Sequence, residues 1–143
     1  MNRTPAAPEL SGNTPILLDA LNYSPWVVFA VAIALAVLLT TSTWVVRQAL
    51  NYAGIEPPPK TEDTGRAIGK TENVLVLSLM LIEAYTALGV IFAAKSIVRK
   101  SDMDQEDTSY YLTGTMANFT YSVVVGLLLH VFLWGLVTFN STG

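Results

Sequence analysis

Hydrophobic positions in this chain do not alternate with polar ones; they run together. No charged residue interrupts Asp19 to Arg47, only Glu83 interrupts Glu72 to Lys95, and His130 is the lone Asp, Glu, Lys, Arg or His between Thr108 and Gly143. A helix at the surface of a soluble domain needs a polar face, and these runs leave no room for one. About 20 apolar residues cross a hydrocarbon core of roughly 30 Å. The pattern predicts an all-α integral membrane protein with three transmembrane helices, at about 25–46, 73–98 and 112–139.

Local signals refine the boundaries. Pro5, Pro8, Gly12 and Pro15 make residues 1–24 a flexible or interfacial tail. Within it, Pro15–Tyr23 sets Ile16, Leu17, Ala20 and Leu21 on one helical side. The segment is a short turn of helix lying in the interface or a lead-in to the first span; so short a segment buries little area, and the lead-in is the expected reading. Ser24 is placed to cap that span, with Pro25 at its first helical position. Trp26 and Trp44 then stand about 27 Å apart along a helix, the separation of aromatic anchors at two headgroup levels. Ala30 and Ala34 form a small-xxx-small pair suited to close helix approach. The stretch 51–70 holds three consecutive prolines and reads as a stiff spacer followed by a polar loop, all within a single transmembrane domain covering 25–143.

Composition narrows the function. Of 143 residues, 52% are hydrophobic and 13% charged, against roughly a quarter charged in soluble domains. The net charge of −3 comes mainly from loop clusters, and no basic patch interleaved with aromatics suggests nucleic acid. Without cysteine there is no disulfide, thiolate metal site, c-type haem attachment or thioester anchor. Metal-ligand clusters, a Ser/His/Asp set and a phosphate-binding glycine loop are all missing from the sequence, so neither an enzyme nor a cofactor is predicted. The first apolar run starts late and lacks a basic flank, so it is expected to stay in the mature protein.

Polar residues inside the predicted spans are the candidate sites. Glu83 falls midway along the second span, where a carboxylate costs about 2.5–3.5 kcal/mol. Neighbouring Val, Leu, Ile and Phe residues outweigh that cost at roughly 0.3–0.6 kcal/mol each, so the span still inserts. Two roles compete for Glu83. It is a proton or cation site whose pKa low dielectric has raised, or a protonated side chain hydrogen-bonded across a helix interface; the second is the expected one. In an antiparallel helix pair it lies level with Tyr121 and Ser122. His130, level with Ser78 and Ser42, reads as a packing residue satisfied by two hydroxyls. Asn118 falls level with Gly89, and the small pair Gly89 and Ala93 predicts close packing of the second and third spans around that amide.

Between those spans, Lys95, Arg99 and Lys100 end one helix and Asp102, Asp104, Glu106 and Asp107 begin the next, the order that opposes both helix dipoles. Asp107 or Thr108 is placed to cap the third span. The acidic turn lacks the glycine and terminal glutamate of a calcium loop, so no metal is predicted. Cations divide four against four between the two sides; the crowding of Lys95, Arg99 and Lys100 favours an N-terminus inside and a C-terminus outside the cell membrane.

Three stretches, Ala67–Leu77, Ala87–Arg99 and Tyr110–Thr115, carry a resemblance. From about residue 65 to 129 the chain resembles a family of uncharacterised prokaryotic and phage-associated multi-span membrane proteins, with a glutamate heading one helix, "AAKSI" and an arginine closing it, and "YYL" with "GT" opening the next. The resemblance implies a hairpin of the second and third spans. It attaches weight to Glu72, Lys95, Arg99 and Tyr111, and implies no activity. The expected function is a small non-enzymatic scaffold or accessory subunit packing with itself or a larger membrane complex; the alternative is a proton- or cation-conducting oligomer using Glu83.

Overall fold

A computed structural model describes residues 14–56, 62–102 and 105–141; the side chains of Tyr23, 62–64, 99–102, 105–107 and 140–141 lie outside the description. Among the described residues the fold is all helix: α1 (Ile16–Tyr23), α2 (Trp26–Ala53), α3 (Glu62–Leu81), α4 (Tyr85–Asp102) and α5 (Gln105–Ser141). Two segments are long and apolar enough to cross a membrane, Trp26–Ala53 and Thr108–Phe139.

The first and third predicted spans are therefore found, each in a longer helix. The Ser24 hydroxyl accepts the Trp26 N–H at 3.4 Å, as expected of a cap. At the other end α2 continues past Val46 to Ala53. It stops where Gly54 adopts φ +67 and the Ile55 N–H bonds Leu50 O at 3.1 Å. That left-handed turn favours glycine. Helix occupies both ends of the expected 51–70 loop, up to Ala53 and again from Glu62. Of the two readings of the lead-in the helical one is found: Ile16–Tyr23 is a helix, burying Ala20 completely and packing Ile16 and Leu17 against the core.

The predicted second span is not one helix. It breaks at Ile82–Ala84, where the Ala84 N–H bonds Leu79 O at 2.9 Å and the Glu83 N–H bonds Met80 O at 3.2 Å. These are the paired bonds of a Schellman termination, and the left-handed residue they require is Glu83, at φ +59. Glycine normally occupies that position, because a side chain there costs roughly 1–2 kcal/mol. The chain then doubles back: Glu72 of α3 forms an ion pair with Lys95 of α4, so the two helices are the limbs of a hairpin.

Contacts with α5 fix the directions of all the others. Thr41 meets Tyr121 and Val46 faces Gly114, so α2 and α5 are antiparallel. Gly69 meets Asn118, Asn73 meets Ser122 and Met80 meets Gly126, so α3 runs parallel to α5. The start of α2, the hairpin tip and the end of α5 consequently lie toward one end of the bundle. The ends of α2 and α4 and the starts of α3 and α5 lie at the other, called here the loop end. The core lies toward the tip end, where Ala20, Val27, Leu38, Leu77, Leu81, Leu129, Leu133 and Val137 form one cluster with Ala30 and Ala34 packed on it.

Candidate functional site

At the loop end α2, α3 and α5 enclose a cavity of about 310 Å³. Its apolar wall comes from Val46, Leu50, Ile55 and Ile68. Three cations, Arg47, Arg66 and Lys70, stand around it with the tyrosine pair Tyr110 and Tyr111, whose rings meet edge to face at 5.3 Å. Buried Ser42 and Asn118 lie among its lining groups. The cations reach it because α2 and α3 both extend beyond their apolar stretches: the last turns of one and the first turns of the other carry them.

The cavity adjoins a polar seam between the parallel helices α3 and α5. The Asn118 amide donates to Gly69 O at 3.1 Å, across a contact where α3 presents no side chain. The Ser122 hydroxyl donates to Asn73 Oδ1 at 2.8 Å and lies 2.9 Å from Asn118 O, so its single proton serves two acceptors. Asn73 is fully buried, and its Nδ2 has no hydrogen-bond partner among the described residues. Buried donors left unmet cost about 1–3 kcal/mol. Glu72, the residue preceding Asn73, lines the cavity and also pairs with Lys95, and beside that pair Phe92 packs on Phe119 with ring centres 4.3 Å apart.

The structure thus brings Glu72, Lys95, Tyr111, Asn118 and Ser122 into one neighbourhood at the loop end. Arg99 ends the same helix as Lys95, but its side chain, like those of Lys100, Asp102, Asp104, Glu106 and Asp107, lies outside the described residues. Glu83 is elsewhere. Its Oε1 accepts the Ile16 N–H at 2.9 Å, capping α1, while the expected neighbours Tyr121 and Ser122 bond to Thr41 and Asn73. His130 also departs from expectation. Its Nδ1 is buried without a hydrogen-bond partner among the described residues, and the Ser78 hydroxyl donates to Val74 O on its own helix. Ser42 is out of reach of His130 because its neighbour Thr41 meets Tyr121, nine residues (roughly 13 Å of helix) before it.

Gly89 and Ala93 do not join α4 to α5. Both are exposed, and a Cβ on Gly89 would meet nothing within 4 Å. The inward face of α4 carries Leu88, Phe92 and Lys95 instead, which puts positions 89 and 93 on the outside. Asn118 accordingly finds its partner on α3. Arg47, Arg66, Lys70, Tyr110 and Asn73 complete the loop-end site without having been singled out from the sequence. Their signal was a cluster of cations flanking two apolar runs, which counts toward topology but also marks a place.

No protein-family model, curated protein or solved structure matches the chain.

Proposed function

We propose that the protein is a small, non-enzymatic integral membrane scaffold or accessory subunit in which α2 and α5 cross the bilayer and α3–α4 enter it as a re-entrant hairpin. One observation carries this: only 17% and 28% of the most apolar windows of α2 and α5 are buried by the rest of the chain. Core helices of soluble proteins are mostly buried, whereas here Trp26, Phe29, Ile33, Trp44, Leu128 and Phe132 face outward. Apolar surface of that extent needs lipid or a partner.

The hairpin fits a half-depth insertion. The apolar part of α3, Val74–Leu81, is about 12 Å long, less than half of a roughly 30 Å hydrocarbon core. Non-helical backbone is tolerated at such depth where its polar groups are met internally, and the bonds at Ile82–Ala84 and Ile16 do this. The Glu83–Ile16 bond also supports a structural role for that carboxylate over proton or cation conduction.

The fold-back of the second helix also supports an orientation. Arg47, Arg66, Lys70, Lys95, Arg99 and Lys100 all belong to the loop end, six of eight cations in the chain. By the positive-inside rule the loop end faces the cytoplasm, with the start of α2 and the end of α5 outside. Assembly is assigned to the exposed Gly89–Ala93 face of α4, where a second copy can approach closely. Size measurement of the protein in mild detergent and in lipid nanodiscs tests this. A homo-oligomer dissociated by Gly89→Leu supports the reading; a wild-type monomer in both media removes the scaffold, and a chain soluble without detergent removes the membrane.

A further inference from the structure

Ser42 and Asn118 lie level with each other in the wall of the loop-end cavity, and each has one polar atom without a partner. Val46 stands against Gly114. One turn earlier on α2 is Ser42 and, because α5 is antiparallel, one turn later on α5 is Asn118. Both line the cavity, and both are more than nine-tenths buried, with 3% and 6% exposure. We infer that the cavity binds a neutral amphiphile by its hydroxyl, which accepts from Ser42 and donates to Asn118, with the start of its chain along Val46, Leu50 and Ile68.

Thr40 and Thr41 return their hydroxyls to carbonyls of the preceding turn, at 2.7 and 2.6 Å, whereas the Ser42 hydroxyl has no hydrogen-bond partner among the described residues. Gly69 offers Asn118 only a carbonyl, so the amide must turn its Nδ2 that way. Its Oδ1 is left as an acceptor, again without a partner among the described residues. A donor and an acceptor at one level on two helices match a group that is both. A hydroxyl is the smallest organic group of that kind: an ether leaves Oδ1 unmet, and an alkyl chain leaves both atoms unmet. A water meets the same two atoms but not the apolar wall beside them. Charge does not select the ligand. Glu72 is engaged by Lys95, Arg47 and Arg66 each have an interaction of their own, and segments 47–72 and 95–107 hold seven Lys or Arg against eight Asp or Glu. A volume of about 310 Å³ suits a head and the start of a chain rather than a whole lipid.

The test uses the full chain in phosphatidylcholine nanodiscs, a bilayer whose lipid has no hydroxyl. Two diazirine probes are compared at equal mole fraction, a long-chain alcohol and its methyl ether, with labelled positions read by peptide mass spectrometry. The alcohol is expected to label the peptides around Val46 and Ile68 saturably, at about three- to tenfold lower concentration than the ether, the worth of one hydrogen bond. Ser42→Ala is expected to weaken alcohol labelling by a similar factor without moving the melting temperature, since the hydroxyl has no partner within the fold. Competition by unlabelled diacylglycerol supports the site with a membrane lipid as its source, and competition by decanol alone supports it with a single-chain alcohol; competition by neither overturns it. Equal labelling by alcohol and ether also overturns the inference, as does alcohol labelling unchanged in Ser42→Ala, and both leave the two polar atoms to internal water. The comparison of alcohol with ether is made on the wild type, so it stands even if the variant misfolds. If the chain proves soluble without detergent, the membrane reading falls, and the same probes in plain buffer decide the site by the same criteria.

Discussion

The carboxylate of Glu83 accepts the backbone N–H of Ile16 at 2.9 Å across 67 positions of sequence. Pro15, the residue preceding α1, supplies no side-chain cap of its own. The hairpin tip therefore finishes the helix that packs beside it, and an anionic acceptor there also suits the positive end of the α1 dipole. One residue both turns the hairpin, at φ +59, and ties it to the start of the bundle.

These two roles can be separated by substitution. Glu83→Gln keeps an acceptor of the same length and is expected to cost less than about 1 kcal/mol. Glu83→Ala loses the cap, about 0.5–2 kcal/mol, and retains the strained turn. Glu83→Gly loses the same cap but relieves roughly 1 kcal/mol or more of left-handed strain, leaving global stability near wild type. Amide exchange at Ile16 is expected to accelerate in the Ala and Gly variants and to change little in Gln. Equal exchange in Ala and Gln would remove the cap from the account.

Glu83 also explains where sequence reasoning stopped. The charge-free runs locate α2 and most of α5, because nothing but a long apolar helix accommodates them. The hairpin lacks its usual announcement: no glycine or proline lies between Asn73 and Leu88, and the turn is made by a residue that rarely adopts positive φ. One signal was present. Glu72 and Lys95 stand 11 and 12 residues either side of Glu83, the symmetry that a fold-back at that point converts into an ion pair. The loop-end cavity was illegible for a different reason, since it depends on α3 running parallel to α5, a direction set only once the hairpin exists.

Glu72 and Lys95 should behave as a coupled pair. Each side chain retains about a quarter of its exposure (26% and 23%), so removing either partner leaves a poorly hydrated charge. A cost of about 1–3 kcal/mol is expected for Glu72→Gln or Lys95→Gln, between the values for surface and buried pairs. The double variant is expected to cost less than the sum by about 1 kcal/mol, measured as a double-mutant cycle of thermal unfolding in detergent. Additivity within about 0.3 kcal/mol would mean that the hairpin limbs do not depend on this contact.

The parallel seam of α3 and α5 makes a prediction at Gly126. A Cβ built there falls 3.0 Å from Met80 Cγ and 3.1 Å from Met80 Cβ, and the latter atom cannot swing away. Gly126→Ala is expected to cost about 1–2 kcal/mol despite the gain in helix propensity. Gly135, on the same helix, has nothing within 4 Å of its Cβ position, so Gly135→Ala is expected to be neutral or stabilising by up to about 1 kcal/mol. Thermal melts of the two variants in one detergent make the comparison, and equal shifts would contradict the close approach at Met80.

Topology offers the sharpest test, because the chain has no cysteine to remove before single cysteines are introduced. Tyr52, Ile97 and Phe139 are each highly exposed and sit near the ends of α2, α4 and α5. If the second helix were continuous, Tyr52 and Phe139 would share one side of the membrane and Ile97 would lie on the other. Folding that helix back at Glu83 exchanges the partners: Tyr52→Cys and Ile97→Cys are expected to react together with an impermeant maleimide from the cytoplasmic side, and Phe139→Cys from outside. Each of the two arrangements predicts what the other forbids, so labelling intact cells against inverted vesicles separates them without reference to stability. The cation distribution adds the direction. On the proposed orientation, replacing Arg47, Arg66 and Lys70 with glutamine is expected to raise the fraction of molecules labelled in reverse.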